Sequence, residues 1–255
     1  MRNVKFTLPE YEQIEIHMLS DWHRGDPLSD TKLIRDRVEY IENTPNAYAV
    51  CMGDLADCAI SGSKGDTYGA ARNPGEQIRE LVSLLEPIKD KVLLFVEGNH
   101  ERRIYNTAGI WINEQVAAQL GKLEVYDPEA VILDLRFGQL TRRQSEGRKA
   151  SYTGYITHGS GGGGTIGAKL NRLQKLAEII PCDFYMQGHT HQPAVFSQCY
   201  LSPSRKGMET QLFLNAGASL QYGGYGAAGG YKPASTMNPV LILNGQKQGM
   251  AVDFK

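Results

Sequence analysis

The sequence predicts an α/β layered fold, built on one mixed sheet or on two sheets packed together. Three observations carry this. Strand-like and helix-like segments alternate as β-α-β-α-β through the first half. The second half is richer in strand formers. Glycine and histidine gather just past the ends of the expected strands, where layered α/β proteins build their sites.

The elements follow in chain order. Residues 13–19 (QIEIHML) alternate as a strand does. Residues 31–42 place Ile34, Val38 and Ile41 at helical spacing and stop before Pro45. Residues 47–52 and 92–96 are short apolar runs, expected as buried strands. Residues 74–88 open on Pro74 and repeat Ile78, Leu81, Val82 and Leu85, a helix. Residues 102–120 read as helical with a break at Gly109. Residues 131–137 and 152–157 read as strands. Residues 165–180 read as a helix with Ile166, Leu170, Leu173, Leu176 and Ala177 on one face. Four further strands are expected at 183–187, 211–215, 240–243 and 250–254.

Composition narrows the class. The chain has 255 residues, 41% hydrophobic and 22% charged, with a formal net charge of −1. These values exclude collagen-like, coiled-coil and largely disordered chains. They also argue against a polycation built to coat nucleic acid, although a local patch stays open. No linker-like shift in composition interrupts residues 1–255, so one domain is expected. No stretch approaches the ~20 apolar residues of a membrane span, so no membrane partner is expected. Glu10, Glu12 and Glu15 interrupt the start, which does not read as a signal peptide. Cys51, Cys58, Cys182 and Cys199 show no CxxC spacing and read as free thiols in a reducing compartment, with cytoplasm as the default. Twelve of the 28 glycines lie in residues 159–167 and 217–230, loops that bend sharply or approach something closely.

The histidines decide the chemistry. Asp21 and His23 follow the first expected strand, Asp54 the second, and Asn99 and His100 the third. His158 ends the strand at 152–157, and His189 and His191 follow the strand at 183–187. Five of the six histidines therefore sit past a strand end; only His17 lies inside a strand. Such a set is too acidic and too imidazole-rich to bury without a metal. Carboxylate, amide oxygen and imidazole suit Mn²⁺, Fe, Zn²⁺ or Co²⁺, and the absence of cysteine disfavours a structural zinc site. Seven or so candidate ligands exceed the needs of one tetrahedral ion, so two ions are expected. Each fragment alone is an ordinary polar turn; all five in order are poorly explained by chance.

At these residues the sequence resembles the calcineurin-like metallophosphoesterase superfamily, through DxH (Asp21, His23), GD (Gly53, Asp54), GNHE (Gly98 to Glu101), a later His158, and GHTH (Gly188 to His191). The resemblance implies an αββα fold: two mixed β-sheets packed as a sandwich flanked by helices. It implies one divalent ion held by Asp21, His23 and His191 and another by Asn99, His158 and His189, with Asp54 bridging. Manganese comes first among the metals; Fe, Zn, Co, Ni and Mg are alternatives. It implies that His100 contacts the phosphate and assists the leaving group. A hydroxide formed from a shared water would attack phosphorus, which needs no protein nucleophile. The expected activity is hydrolysis of a phosphodiester, a nucleotide or nucleic acid. The alternatives are a small phosphomonoester and, with less support given the complete ligand set, a non-catalytic scaffold. The protein-phosphatase branch carries an Arg-Gly after its GD motif. Residues 53–59 (GDLADCA) lack it, which disfavours that activity.

Several features bear on substrate. Trp22, between two expected ligands, reads as packing beneath the site before it reads as a base-stacking group. Arg102 and Arg103 are a solvated face or a phosphate contact. Residues 136–149 hold Arg136, Arg142, Arg143, Arg148 and Lys149 against Glu146 alone, an exposed loop or a phosphate-backbone contact. The glycines at 159–167 fail the phosphate-loop spacing, because Ala168 stands where lysine is needed; they form a rim beside His158. Residues 217–231 mix glycine with Tyr222, Tyr225 and Tyr231, a plain surface loop or a stacking rim.

Overall fold

The computed structural model describes residues 1–61, 72–141, 147–163, 165–202, 207–230, 232, 233 and 235–255. Among them are two six-stranded mixed sheets flanked by helices. The strands are β1 (Arg2–Thr7), β2 (Gln13–Leu19), β3 (Ala47–Cys51), β4 (Val92–Val96), β5 (Tyr126–Asp127), β6 (Ala130–Phe137), β7 (Ala150–Thr157), β8 (Phe184–Gln187), β9 (Ala194–Ser202), β10 (Gly207–Asn215), β11 (Pro239–Asn244) and β12 (Met250–Phe254). The helices are α1 (Thr31–Asn43), α2 (Pro74–Leu85), α3 (Asn99–Ala108), α4 (Ile112–Gln119), α5 (Ile166–Lys175) and α6 (Gly224–Ala228).

One sheet runs β12-β11-β2-β3-β4-β5 and the other β1-β6-β7-β8-β10-β9. In the first, β2, β3, β4 and β5 are parallel, so their carboxyl ends share one edge. In the second, β7, β8 and β10 are parallel. The strands β3 and β4 are buried along their whole length, as their continuous apolar runs require. A single apolar cluster joins the two sheets and includes Val50, Leu94 and Phe95 from one and Leu133, Leu135 and Phe184 from the other.

The helices form where their patterns demand. Ile34, Val38 and Ile41 bury one face of α1, and the Asp30 side chain accepts from Leu33 N at its start. Asn73 and Glu76 form a reciprocal capping box on α2. Gly109, at φ +71°, ends α3 in a left-handed turn before α4 begins, which is the expected break.

Some expectations need correction. Leu173 is buried on α5, and Leu170, Leu176 and Ala177 pack against the same apolar cluster, but Ile166, the first residue of the helix, is 57% exposed and does not join them. Strand β10 begins four residues before the expected 211, as the partner of β9 in an antiparallel hairpin. Strands β1, β5 and β9 and the short α6 carry no sequence signal strong enough to have been expected. Arg142, Arg143 and Glu146 of the basic stretch, Gly164 and Tyr231 lie outside the described residues.

Candidate metal centre

The site forms where the carboxyl ends of β2, β3 and β4 meet those of β7 and β8. The first sheet supplies Asp21, His23, Asp54 and Asn99; the second supplies His158, His189 and His191. All seven expected ligands and His100 are thereby brought into one cluster.

Its distances are short across the two sheets. His191 Nε2 lies 3.2 Å from Asp21 Oδ1 and 3.1 Å from His23 Nε2. His158 Nε2 lies 3.3 Å from Asp54 Oδ2 and 3.1 Å from Asn99 Oδ1. His189 Nδ1 lies 2.6 Å from Asn99 Oδ1. Three groups of donors each lie within 4.8 Å of one another: Asp21, His23 and His191; His23, Asp54 and His100; Asp54, His158 and His189.

The proton positions follow from the other side of each ring. His158 Nδ1 is 2.8 Å from the Met52 carbonyl, so that nitrogen carries a proton, and a cation at the cluster would take the place of any proton on Nε2, which faces Asp54 and Asn99. His189 Nε2 is 3.0 Å from the Gly161 carbonyl, which leaves Nδ1 facing Asn99. The glycine-rich loop after β7 therefore orients a candidate ligand. Lone pairs from imidazole, amide and carboxylate converge on shared space, and cations of the kind expected fit such a donor set.

The electrostatics agree. Burial opposes the charged form of Asp54, but His158 and His100 hold its carboxyl well below the ordinary range. Burial likewise opposes charge on Asp21, and His191 overcomes it. Burial would discharge His158, yet Asp54 pulls it up to about 10. The carboxylates thus draw a positive charge to the centre of the cluster.

Backbone conformation is unusual at these positions. Among the described residues, seven non-glycine residues have positive φ, and five are Asp21, His23, Asp54, His189 and His191, at +47° to +66°. Each such conformer costs of order 1–3 kcal/mol and persists where surrounding bonds over-determine it. Here Asp21 N donates to Gly53 O and His23 N to Asp54 O, lacing the two strand ends together. Close approach also explains the glycines before the candidate ligands Asn99 and His189. A Cβ on Gly98 would run into Asp54, and one on Gly188 would meet Asp21 Oδ2 at 2.7 Å.

Two important residues were not singled out from sequence. Asp57 Oδ1 lies 3.0 Å from His100 Nδ1 and 3.6 Å from His23 Nδ1, so one carboxylate orients both rings. Glu101, fully buried, accepts from the backbone N–H of Asp54, Ala56 and Gly98 at 2.9–3.0 Å. Burial and the nearby Asp54 push the Glu101 carboxyl up to about 7. The GDLAD and GNHE strings contain both residues, but their partners arise only from the fold. Trp22 is completely buried and so packs beneath the site, unable to stack on a base. Tyr222 is exposed on the second glycine-rich segment.

Comparison with known proteins places these observations in a family. A protein-family model for calcineurin-like phosphoesterases matches residues 14–193. No curated protein matches the chain in sequence. Solved structures do resemble it. GAP50, described as the anchor in the inner membrane complex of Plasmodium, is 12% identical, with 95% of this chain and 84% of that one covered and a TM-score of 0.50. Vacuolar Protein Sorting 29 from Cryptosporidium parvum is 14% identical, covering 95% and 98%, with a TM-score of 0.45. A predicted phosphoesterase from Streptococcus pneumoniae is 15% identical, covering 95% and 98%, with a TM-score of 0.37. Likeness at such low identity bears on fold alone. No helix among the described residues is long and apolar enough to cross a membrane.

Proposed function

The chain belongs to the calcineurin-like phosphoesterase family, and from that premise we propose that it is a two-metal phosphoesterase that hydrolyses a phosphodiester in a nucleotide or nucleic acid. The observation that carries this reading is the convergence of seven carboxylate, amide and imidazole donors from two sheets, beside a histidine that is not needed as a ligand.

Asp21, His23 and His191 would hold one divalent ion, and Asn99, His158 and His189 the other, with Asp54 between them. Manganese is the first choice, because hard oxygen donors mix with imidazole and no thiolate takes part. When bound, the pair would acidify a shared water and neutralise charge on the phosphoryl oxygens.

The chain supplies the rest. His100 Nδ1 is held by the Asp57 carboxylate and carbonyl at 3.0 and 2.9 Å, and its Nε2 lies 3.9 Å from Asp54 Oδ2. The Asp57 carboxylate and carbonyl beside Nδ1 favour the protonated form of this ring. A protonated His100 stabilises charge on a phosphoryl oxygen and supplies a proton to the departing alkoxide. A diester is supported by space: a cavity of about 610 Å³ adjoins Asn99 and His158, with room for a second ester substituent.

A Mn²⁺-supplemented panel of bis(p-nitrophenyl) phosphate, p-nitrophenyl phosphate, nucleotides and DNA tests the reading. Diester cleavage faster than monoester cleavage is expected. Faster monoester cleavage would overturn the diester preference, and no turnover on any ester would overturn the activity. Cytoplasm, the compartment expected for the free thiols Cys51, Cys58, Cys182 and Cys199, belongs to the same proposal.

A further inference from the structure

The cavity beside Asn99 and His158 carries cations that the two-metal chemistry does not use. Arg102 reaches it from α3. Its Cζ sits 5.2 Å from the centroid of the Trp111 ring, which itself stacks on Tyr105 at 3.7 Å. This cation–π contact holds the Arg102 guanidinium beside the indole ring. Arg102 Nη2 makes one long bond, 3.4 Å, to the Pro128 carbonyl, so most of its donors stay available.

Arg172 and Lys175 reach the same cavity from α5, three residues apart on one helical face. Arg172 Nη1 donates to Ser160 Oγ at 2.7 Å, which steadies it at the rim of the glycine-rich loop. Two acids face these three cations. Glu97 accepts through Oε1 from Asn113 N, Glu114 N and Tyr126 Oη at the start of α4, and its buried Oε2 has no hydrogen-bond partner. Glu129 is exposed at the rim. Tyr155, Leu176 and Ile179 add an apolar wall. Guanidinium and ammonium donors beside an apolar wall match a phosphate attached to a flat organic group.

Resting on the phosphoesterase reading, we propose that this cavity is a subsite for a second phosphoryl group, so that the substrate is a nucleotide-like ester with two phosphoryl groups. One lies at the ions. The other extends past Asn99 and His158 to Arg102, Arg172 and Lys175. A dinucleotide step and a nucleoside diphosphate share this chemistry.

The test is binding, so it does not depend on turnover. Isothermal titration compares α,β-methyleneadenosine 5′-diphosphate, with two phosphoryl groups, and adenosine 5′-monophosphate, with one. The Arg172→Ala, Lys175→Ala double variant should weaken the first by at least about ten-fold, the loss expected on removing charged donors to phosphate, and the second by no more than about two-fold. Arg102→Gln should act in the same direction, and unchanged unfolding midpoints would show that the variants fold. Equal effects on both probes, no effect on either, or no binding of the two-phosphoryl probe to the unaltered protein would overturn the subsite. Turnover of bis(p-nitrophenyl) phosphate by the unaltered protein reports separately on the phosphoesterase reading. A 5′-phosphorylated dinucleotide and a nucleoside diphosphate, titrated in parallel, then distinguish the two sources of the second group.

Discussion

His100 Nδ1 lies 3.0 Å from Asp57 Oδ1, and the same carboxylate oxygen lies 3.6 Å from His23 Nδ1. One acidic side chain is therefore hydrogen-bonded to the ring of a proposed proton donor and lies beside the ring of a proposed metal ligand. The rings of His23 and His100 meet edge to face with centroids 4.3 Å apart, so neither can rotate without disturbing the other.

This link separates two variants. His100→Ala should keep the metal content and lower kcat by about 10²–10⁴, the usual weight of a positioned proton donor. Asp57→Asn should lower kcat by about 10–100-fold and also weaken metal affinity, because it loosens His23 as well. Elemental analysis with steady-state kinetics on both variants reads the difference. Unchanged turnover in His100→Ala would remove it from the mechanism.

Glu101 should matter more for folding than its place beside His100 suggests. Removing it leaves the buried N–H groups of Asp54, Ala56 and Gly98 without their acceptor. Glu101→Ala should cost at least about 3 kcal/mol in denaturant unfolding. Glu101→Gln keeps one acceptor oxygen and should cost less. Both should weaken Mn²⁺ binding, since Asp54 is no longer positioned.

Metal should stabilise the fold. An ion that binds only the native chain adds about 2.7 kcal/mol at a hundred times its Kd. Scanning calorimetry with Mn²⁺ and then with excess chelator should show the unfolding midpoint rise and fall by several degrees. Identical midpoints would show that the cluster holds no such ion.

His17 gives a pH dependence remote from the site. Burial drives its pKa down to about 4 from an ordinary 6.5, against the opposing pull of Glu15 at 3.0 Å; Lys255 also disfavours its charge. Its folded value lies below its unfolded one, so the unfolded chain binds the extra proton between them. Its contribution is complete above pH 6.5 and is lost as pH falls towards 4. The full loss is about 3 kcal/mol. His17→Gln should flatten the stability profile across that window and leave it unchanged at pH 8.

Strand β4, at residues 92–96, and the helix break at Gly109 were legible because local pattern determines them. So was the clustering of histidines past strand ends, since the chain alternates predictably between layers. Strand β1 was not. It holds only Val4 and Phe6 as apolar residues and is defined by pairing in which Arg2 lies beside Val131, a contact no local window contains. The outer half of the β9–β10 hairpin is largely exposed and offers no apolar period. Asp57 and Glu101 stood inside recognisable motifs, yet their roles depend on a ring and on backbone donors delivered by neighbouring loops. Nor does composition foretell that Asp21, His23 and Asp54 adopt left-handed backbone conformations.

Because its donors are divided between the two sheets, the centre acts as an alignment gauge for the whole sandwich. A slip of one sheet past the other by a fraction of an ångström would leave every residue intact and still spread the donors apart. Trimming Leu135 or Phe184 in the core between the sheets, where no atom touches a reacting group, should therefore surface first as lost turnover and only later as lost structure.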